Sequence, residues 1–269
     1  MSKPALMRWV EVAGKVFRAE VSGDGRLTLL LIHEMGGSLN SWDRVIPLLR
    51  PHFRILRYDL QGCGMSEAVR GTLDFGTVVR DAALLLDYFG LDGPVVPVGC
   101  AVGGAVALGF AAEFASRCAS VVALAPATSV PEERRAALLA RADAAETLGL
   151  REGIDASLMR GYAPALRAEP GIFEQTRAMR IAANPFGVAA MARLLAGLDI
   201  KAELGRIACP ALVLAGEYDL DRPPENGSAV AAAIATSEFR IIPSGHFMAI
   251  QTPSLVAQHI LSFLLPKAS

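Results

Sequence analysis

Short apolar runs rich in β-branched residues alternate along the chain with longer segments whose apolar positions recur at helical spacing. The later runs lack the polar alternation of a half-exposed strand, which is typical of strands buried on both faces. This alternation predicts an α/β protein with a mostly parallel eight-stranded sheet and helices on both faces. The predicted strands are 8–12, 16–21, 28–32, 54–58, 95–98, 120–124, 211–215 and 238–242, and the predicted helices are 42–49, 75–89, 103–115, 229–235 and 253–265. A short turn joins the first two strands and predicts an antiparallel hairpin at the edge of the sheet.

Residues 130–205 interrupt this alternation of predicted strands and helices. They contain no convincing strand, and Ala, Arg, Glu and Leu dominate their composition. We interpret them as a helical cap inserted into a core domain, formed by residues 1–129 and 206–269, and lying over the carboxyl edge of the sheet. Plain helical packing inside a single domain is the alternative. Helix breaks are expected at Gly153, Gly161, Pro170 and Pro185.

The most informative motif is Gly99-Cys100-Ala101-Val102-Gly103, between a predicted strand and a predicted helix. Its pattern, Gly-x-nucleophile-x-Gly, is that of a nucleophile elbow, in which a sharp turn presents the central side chain. The two glycines allow that turn and let the helix and strand pack closely. The central residue is Ala101, whose methyl group cannot attack a carbonyl.

Two later segments carry a candidate acid–base pair. Asp219 follows the predicted strand 211–215, where its carboxylate would fix the tautomer of a histidine by accepting the Nδ1–H. Asp221 lies two residues further on and is the fallback. His246 follows the last predicted strand. Because elbow, aspartate and histidine occur in the order of a hydrolase triad, each after a strand, we expect Asp219 and His246 to meet at Ala101.

A glycine-rich loop, His33-Glu34-Met35-Gly36-Gly37, follows the third predicted strand. In the elbow arrangement such a loop supplies one backbone N–H of an oxyanion hole, and the residue after the nucleophile supplies the other. We predict Met35 and Val102 as these two donors. Taken alone, the loop is also compatible with an ordinary strand-to-helix turn.

These segments together resemble the α/β-hydrolase fold superfamily, in the branch that includes the 3-oxoadipate enol-lactonases. The resemblance spans nearly the full length, and four further segments support it: 38–42, 57–66, 184–187 and 245–253. It implies the α/β-hydrolase fold with a cap, and a hydrolase that acts on a small ester, lactone or related carbonyl compound, with an acidic substrate as one expectation.

Three residues depart from the pattern of that family. Ala101 replaces the nucleophile, Gln61 replaces the usual Arg of the turn after the fourth strand, and Glu34 stands where such loops often have Gly. If the Glu34 carboxylate points into the site, it opposes negative charge developing there. If it points outward, it is a surface residue without consequence. Both orientations are open from the sequence.

Ala101 leaves three interpretations of the function. In the first, the chain is an inactivated serine-to-alanine form of a serine hydrolase. Loss of a triad nucleophile lowers kcat by a factor on the order of 10⁶. Alternatively the alanine is natural, and His246 with Asp219 acts as a general base in water-mediated hydrolysis or lyase chemistry. The third interpretation is a non-catalytic protein that binds a ligand in the same pocket.

Cap arginines are the candidates for substrate binding. Arg160, Arg177 and Arg180 are the predicted clamps for a substrate carboxylate, because a guanidinium binds that group through two hydrogen bonds. Glu34 is the fourth candidate, as a polar group of the pocket. Most of the other cap arginines are expected on solvated helix faces.

Composition limits the partners. The net charge of −1 disfavours nucleic acid and membrane surfaces, and a small-molecule substrate is expected. A homodimer stays open. The four cysteines have no paired-ligand spacing, so no metal site or disulfide framework is predicted, and a reducing cytoplasm is the default location. No dinucleotide fingerprint is present and no cofactor is predicted.

Overall fold

A computed structural model describes residues 6–265. The outermost residues of the predicted core domain, 1–5 and 266–269, lie outside the described residues. Within 6–265 the sheet has eight strands in the order β1-β2-β4-β3-β5-β6-β7-β8. Their bounds are β1 Leu6–Val12, β2 Lys15–Ser22, β3 Thr28–Ile32, β4 Arg54–Tyr58, β5 Val95–Cys100, β6 Val121–Leu124, β7 Ala211–Gly216 and β8 Ser237–Ile242.

The strand pairing confirms the predicted sheet. β1 and β2 form an antiparallel hairpin at one edge, and β2 pairs antiparallel with β4. All remaining pairs, from β4 through β8, are parallel. Since a parallel pair requires a crossover, the helices between these strands must cover the two faces.

Successive residues of the central strands enter two separate apolar cores. In β3, Leu30 and Ile32 belong to one core, and Leu29 and Leu31 belong to the other. The first core contains residues of helices α2, Phe75–Tyr88, α3, Val102–Glu113, and α9, Pro224–Ala232. The second contains residues of helices α1, Ile46–Leu49, α10, Met248–Gln251, and α11, Pro253–Leu264. Burial on both faces explains why these strands are apolar at every position.

The segment between β6 and β7 is helical. Its helices are α4 Glu132–Leu148, α5 Arg151–Gly161, α6 Ile172–Ile181, α7 Pro185–Ala196 and α8 Lys201–Leu204. Buried residues of α7 also join the first core, among them Met191 and Leu194. The division into a cap, 130–205, and a core domain stays a prediction. Within residues 6–265, no helix combines the length and apolarity that crossing a membrane requires.

Three predicted helix features differ from the structure. The single predicted helix 42–49 is a short 3₁₀ helix, Leu39–Trp42, followed by α1, because the N-cap of α1 is Val45 and Pro47 stands in its first turn. The predicted helix 229–235 begins earlier, since Pro224 is at the first helical position of α9, where a proline needs no N–H partner. Gly153 does not break a helix: it lies inside α5, and the break occurs at Gly149, whose φ is +79°.

Candidate active site

Ala101 occupies a strained turn between β5 and α3. Its φ of 53° and ψ of −113° lie in a region that residues with a side chain rarely adopt. Three backbone hydrogen bonds hold the residue there. Its N–H donates to the Leu124 carbonyl at 2.9 Å, and its own carbonyl accepts from Ala127 at 2.9 Å and Ala105 at 3.1 Å. The surrounding fold thus imposes the elbow geometry although no nucleophile stands at its tip.

The two elbow glycines lie where backbones cross at close range. A Cβ on Gly99 would come within 1.9 Å of the Gly103 carbonyl oxygen. A Cβ on Gly103 would come within 2.3 Å of the Ile32 carbonyl oxygen. Because the obstructing atoms belong to the backbone, only glycine fits at either position, and α3 can start directly beside β3 and β5.

Asp219 and His246 form a hydrogen-bonded pair. Nδ1 of His246 lies 2.7 Å from Oδ2 of Asp219, and Asp219 is buried, with 1% of its surface exposed. The other oxygen, Oδ1, accepts the N–H groups of Asp221 and Arg222 at 2.9 and 2.8 Å. Since the carboxylate only accepts, His246 carries its proton on Nδ1 and keeps the lone pair of Nε2 for a general base.

His246 reaches the elbow side of the cavity. Its N–H donates to the Gly161 carbonyl at 2.8 Å, and its carbonyl accepts the thiol of Cys100 at 3.3 Å. His246 and Ala101 line the same cavity. The structure therefore brings together the residues predicted for the acid–base pair and the elbow. Asp221 is engaged elsewhere, because its Oδ1 accepts from Nε of Arg160 at 2.6 Å.

His33 orients the predicted donor Met35. Nε2 of His33 accepts the N–H of Leu60 at 2.9 Å, so Nδ1 carries the proton and donates to the Glu34 carbonyl at 2.7 Å. The N–H of Gly37 donates to the same carbonyl at 3.0 Å. Because a trans peptide is planar, the N–H of Met35 points away from that fixed carbonyl.

The N–H groups of Met35 and Val102 are both available for a ligand. Both residues line the cavity, and within residues 6–265 neither N–H has a protein acceptor. Val102 is also the first residue of α3, where the helix dipole favours negative charge. Free N–H groups on the wall of a cavity are one requirement of an oxyanion hole.

Glu34 points inward and is neutralised. Its side chain is buried, with 3% of the residue exposed, and it lines the cavity. Oε1 lies 2.5 Å from Nη2 of Arg180 and accepts the hydroxyl of Ser41 at 3.0 Å. Arg180 also donates from Nη1 to the Met35 carbonyl at 3.1 Å and lies 4.0 Å over the ring of Phe247. Burial lowers the pKa of Arg180, and Glu34 opposes that effect. The ion pair therefore links α6 directly to the predicted oxyanion loop.

Cys100 is adjacent to Ala101 but does not share its orientation. The thiol belongs to the second apolar core and donates to a backbone carbonyl. Burial, followed by the nearby charge of Glu34, raises the pKa of Cys100 well above its ordinary value. A protonated, buried thiol is a poor nucleophile.

The cavity has a volume of about 540 Å³ and lies between the sheet edge and the helices that follow β6. Of the predicted clamps, Arg160 and Arg180 line it. Arg177 does not: its guanidinium binds the carboxylate of Asp155 through two hydrogen bonds of 2.5 and 2.9 Å. Three arginines that were not selected from the sequence also line the cavity, namely Arg134, Arg141 and Arg222. The sequence holds one indication of Arg134 and Arg141: their seven-residue spacing places both on one face of α4.

Comparison with known proteins agrees with this geometry. The sequence matches the alpha/beta hydrolase fold family over residues 28–253. It is 23% identical to 3-oxoadipate enol-lactonase 1 from Acinetobacter baylyi over 253 residues, 93% of this chain and 94% of that protein. A thermophilic esterase from Thermogutta terrifontis, solved with malate bound, is 28% identical with a TM-score of 0.89 and covers 96% of this chain and 98% of its own. The enol-lactonase from Burkholderia xenovorans is 26% identical with a TM-score of 0.89, covering 96% of this chain and 100% of its own. The predicted fold and the predicted family resemblance are confirmed.

Proposed function

Since the chain belongs to the alpha/beta hydrolase fold family, we propose that it hydrolyses a small ester or lactone by general-base catalysis, with water as the nucleophile. The similarity to an esterase and to enol-lactonases supports the substrate class. The observation that carries the proposal is the intact His246–Asp219 pair, which faces the same cavity as the methyl group of Ala101. The base is complete although the serine is missing.

The proposed reaction uses one imidazole for both proton transfers. Water attacks the carbonyl carbon of the substrate and gives its proton to Nε2 of His246. The N–H groups of Met35 and Val102 bind the oxyanion that forms. The C–O bond to the leaving oxygen then breaks, and Nε2 returns the proton to that oxygen. Hydrolysis of an ester gives an acid and an alcohol. Hydrolysis of a lactone gives one ring-opened hydroxy acid, and hydrolysis of an enol lactone gives an enol acid that tautomerises to the keto acid.

Each group has a separate energetic role in this reaction. A positioned general base contributes about 10²- to 10⁴-fold to the rate. Each oxyanion donor is worth about 3 kcal/mol of transition-state stabilisation. Asp219 stabilises the imidazolium that forms when His246 accepts the proton. Arg180 neutralises Glu34, so the carboxylate beside the amides does not repel the oxyanion as strongly as an unpaired one.

The Glu34–Arg180 pair is also the reason to prefer a serine-independent enzyme over an inactivated serine hydrolase. Glu34 is held by two side chains, Arg180 and Ser41, and is therefore an integral part of the loop. Ala101 and Glu34 are both departures from the family pattern, and both line one cavity. Two departures that line one cavity fit a pocket adapted to a reaction without a covalent intermediate.

Kinetics on a panel of small esters and lactones test this proposal. The chain with Ala101 should hydrolyse at least one compound, and His246→Ala should lower kcat by about 10²- to 10⁴-fold. His52→Ala is the matched control, since His52 is exposed and does not line the cavity, and it should keep full activity. Ala101→Ser should introduce a serine that His246 can activate.

Two results would contradict the proposal. Activity confined to the Ala101→Ser variant would identify the chain as the inactivated form of a serine hydrolase. Ligand binding without turnover by either form would identify a binding protein.

A further inference from the structure

The cavity has more positive than negative side chains. Five guanidinium groups line it, whereas the only carboxylates among its lining residues are Glu34 and Asp221. The lining arginines are Arg134, Arg141, Arg160, Arg180 and Arg222. Even when the buried carboxylate of Asp219 behind His246 is included, the excess is two positive charges. The net charge of the whole chain is only −1 and does not reveal this local excess of positive charge.

The two lining carboxylates are already engaged. Glu34 binds Arg180 at 2.5 Å, and Asp221 binds Arg160 at 2.6 Å. Among the described residues, Arg134, Arg141 and Arg222 have no carboxylate partner within salt-bridge distance. The guanidinium of Arg222 donates to the neutral carbonyl of Ser129, at 3.1 Å. The excess charge is therefore located on three specific residues.

Two of these residues stand on one face of α4. Arg134 and Arg141 are seven residues apart, about 10 Å along the helix axis. Ala137 and Leu138 lie between them and line the same cavity, so this face of α4 forms one wall. The guanidinium groups thus stand at two places along the wall of the cavity.

Like charges act on one another at both places along this wall, Arg134 on Arg222 and Arg160 on Arg141. Burial lowers the pKa of Arg222, and the charge of Arg134 lowers it further, against the opposing effect of Asp219 and Asp221. Burial also lowers the pKa of Arg141, and the charge of Arg160 adds to that effect. Like charges that line one cavity repel one another in the free protein, and a bound anion would relieve that repulsion.

We propose that Arg134, Arg141 and Arg222 form an anion subsite, and that the substrate is a small organic dianion. The shared chemistry is two negative charges, either two carboxylates or one phosphate ester. This inference rests on the proposed function only for the identity of the reacting group, an ester or lactone. Binding of the dianion itself requires no turnover. Anionic groups would bind on the α4 wall while the reacting carbonyl lies at the amides of Met35 and Val102.

Equilibrium binding to the full chain tests the subsite with compounds of one size and different charge. Glutarate, glutaramate and glutaramide carry two, one and no negative charges. We expect glutarate to bind at least about tenfold tighter than glutaramate, and glutaramide to bind weakest. Because the attraction is electrostatic, the preference should shrink as salt is added. Propyl phosphate distinguishes the two sources of a dianion: tighter binding than glutarate assigns the subsite to a phosphate ester.

Charge-removing variants locate the subsite. Arg134→Gln, Arg141→Gln and Arg222→Gln should each weaken glutarate binding on the order of tenfold. Arg177→Gln is the matched control, because Arg177 belongs to the neighbouring helix α6 and binds Asp155 outside the cavity lining. That variant should bind glutarate as the unmodified chain does.

Glutarate titrations and hydrolysis assays of the His246→Ala variant separate the anion subsite from the proposed function. Glutarate binding that is retained while hydrolysis is lost supports both the anion subsite and the general-base role of His246. Retained binding with unchanged hydrolysis contradicts the proposed function and leaves the subsite intact. Equal affinity for the three glutarate compounds, or no binding of either dianion at millimolar concentration, would overturn the subsite.

Discussion

At the scale of single residues, the unusual feature is a buried ion pair beside the predicted oxyanion hole. Arg180 is 6% exposed and contacts Glu34, the carbonyl of Met35 and the ring of Phe247. Such a pair contributes little net stability, but removal of one partner leaves an uncompensated charge at a buried position. The pair thus makes the loop after β3 and helix α6 depend on each other.

Replacement of Arg180 tests this dependence. Arg180→Met should lower the free energy of unfolding by about 3 kcal/mol, because the Glu34 carboxylate then stays buried without its partner. The double variant Arg180→Met with Glu34→Gln should recover part of the loss, since the carboxamide is neutral. Urea unfolding of the four proteins in the cycle measures the coupling.

Arg177→Met is the matched control for that cycle, because its ion pair with Asp155 is exposed to solvent. Its unfolding midpoint should equal that of the unmodified chain. A loss in Arg180→Met no larger than in this control would contradict a buried, structurally required pair.

The site residues that follow strands could be predicted from the sequence, but only some of those that line the cavity from the side: Arg160 and Arg180 line it, and Arg177 does not. Ala101, Asp219 and His246 could be placed because the carboxyl ends of parallel strands meet at one edge. The inward orientation of Glu34 could not be predicted, since it depends on Arg180, 146 residues away. The choice of Arg177 over Arg134 failed to identify a lining residue because only tertiary packing decides which arginine faces the cavity.

At the scale of elements, the elbow depends on the close approach of β5, α3 and β3. Gly99→Ala or Gly103→Ala would drive a methyl group into a backbone carbonyl, at 1.9 and 2.3 Å respectively. Since backbone cannot move away as a flexible side chain does, we expect each variant to lose more than about 3 kcal/mol of unfolding free energy or fail to fold. Thermal and urea unfolding measure this loss.

Gly153→Ala supplies the matched comparison. Gly153 lies inside α5, and a Cβ there meets nothing within 4 Å. Alanine should therefore stabilise the protein by about 0.5–1 kcal/mol, because glycine disfavours a helix interior. A Gly103→Ala variant as stable as Gly153→Ala would contradict the close packing at the elbow.

The same elements show which parts of the fold a sequence can predict. The strands were located to within two residues because the central strands β3, β5, β6 and β7 are apolar and buried at every position. Helix limits were less accurate. The helix over 42–49 divides in two and Gly153 stays inside α5, since local propensity does not include the packing of neighbouring helices.

At the scale of the whole molecule, the carboxyl edge of the sheet and the helices after β6 meet at the cavity. The loops at the sheet edge contribute the acid–base pair and the amides, and the helices after β6 contribute the positive wall of α4. The pocket therefore combines the predicted reacting centre with an excess of positive side chains.

Intact-protein mass spectrometry during turnover tests most directly whether this chain completes hydrolysis without a covalent intermediate. A rapidly quenched reaction of the unmodified chain with a hydrolysed ester should show only the mass of the free protein, while Ala101→Ser should carry the acyl group. An acyl adduct on the unmodified chain, at Cys100 or any other residue, would contradict water as the nucleophile.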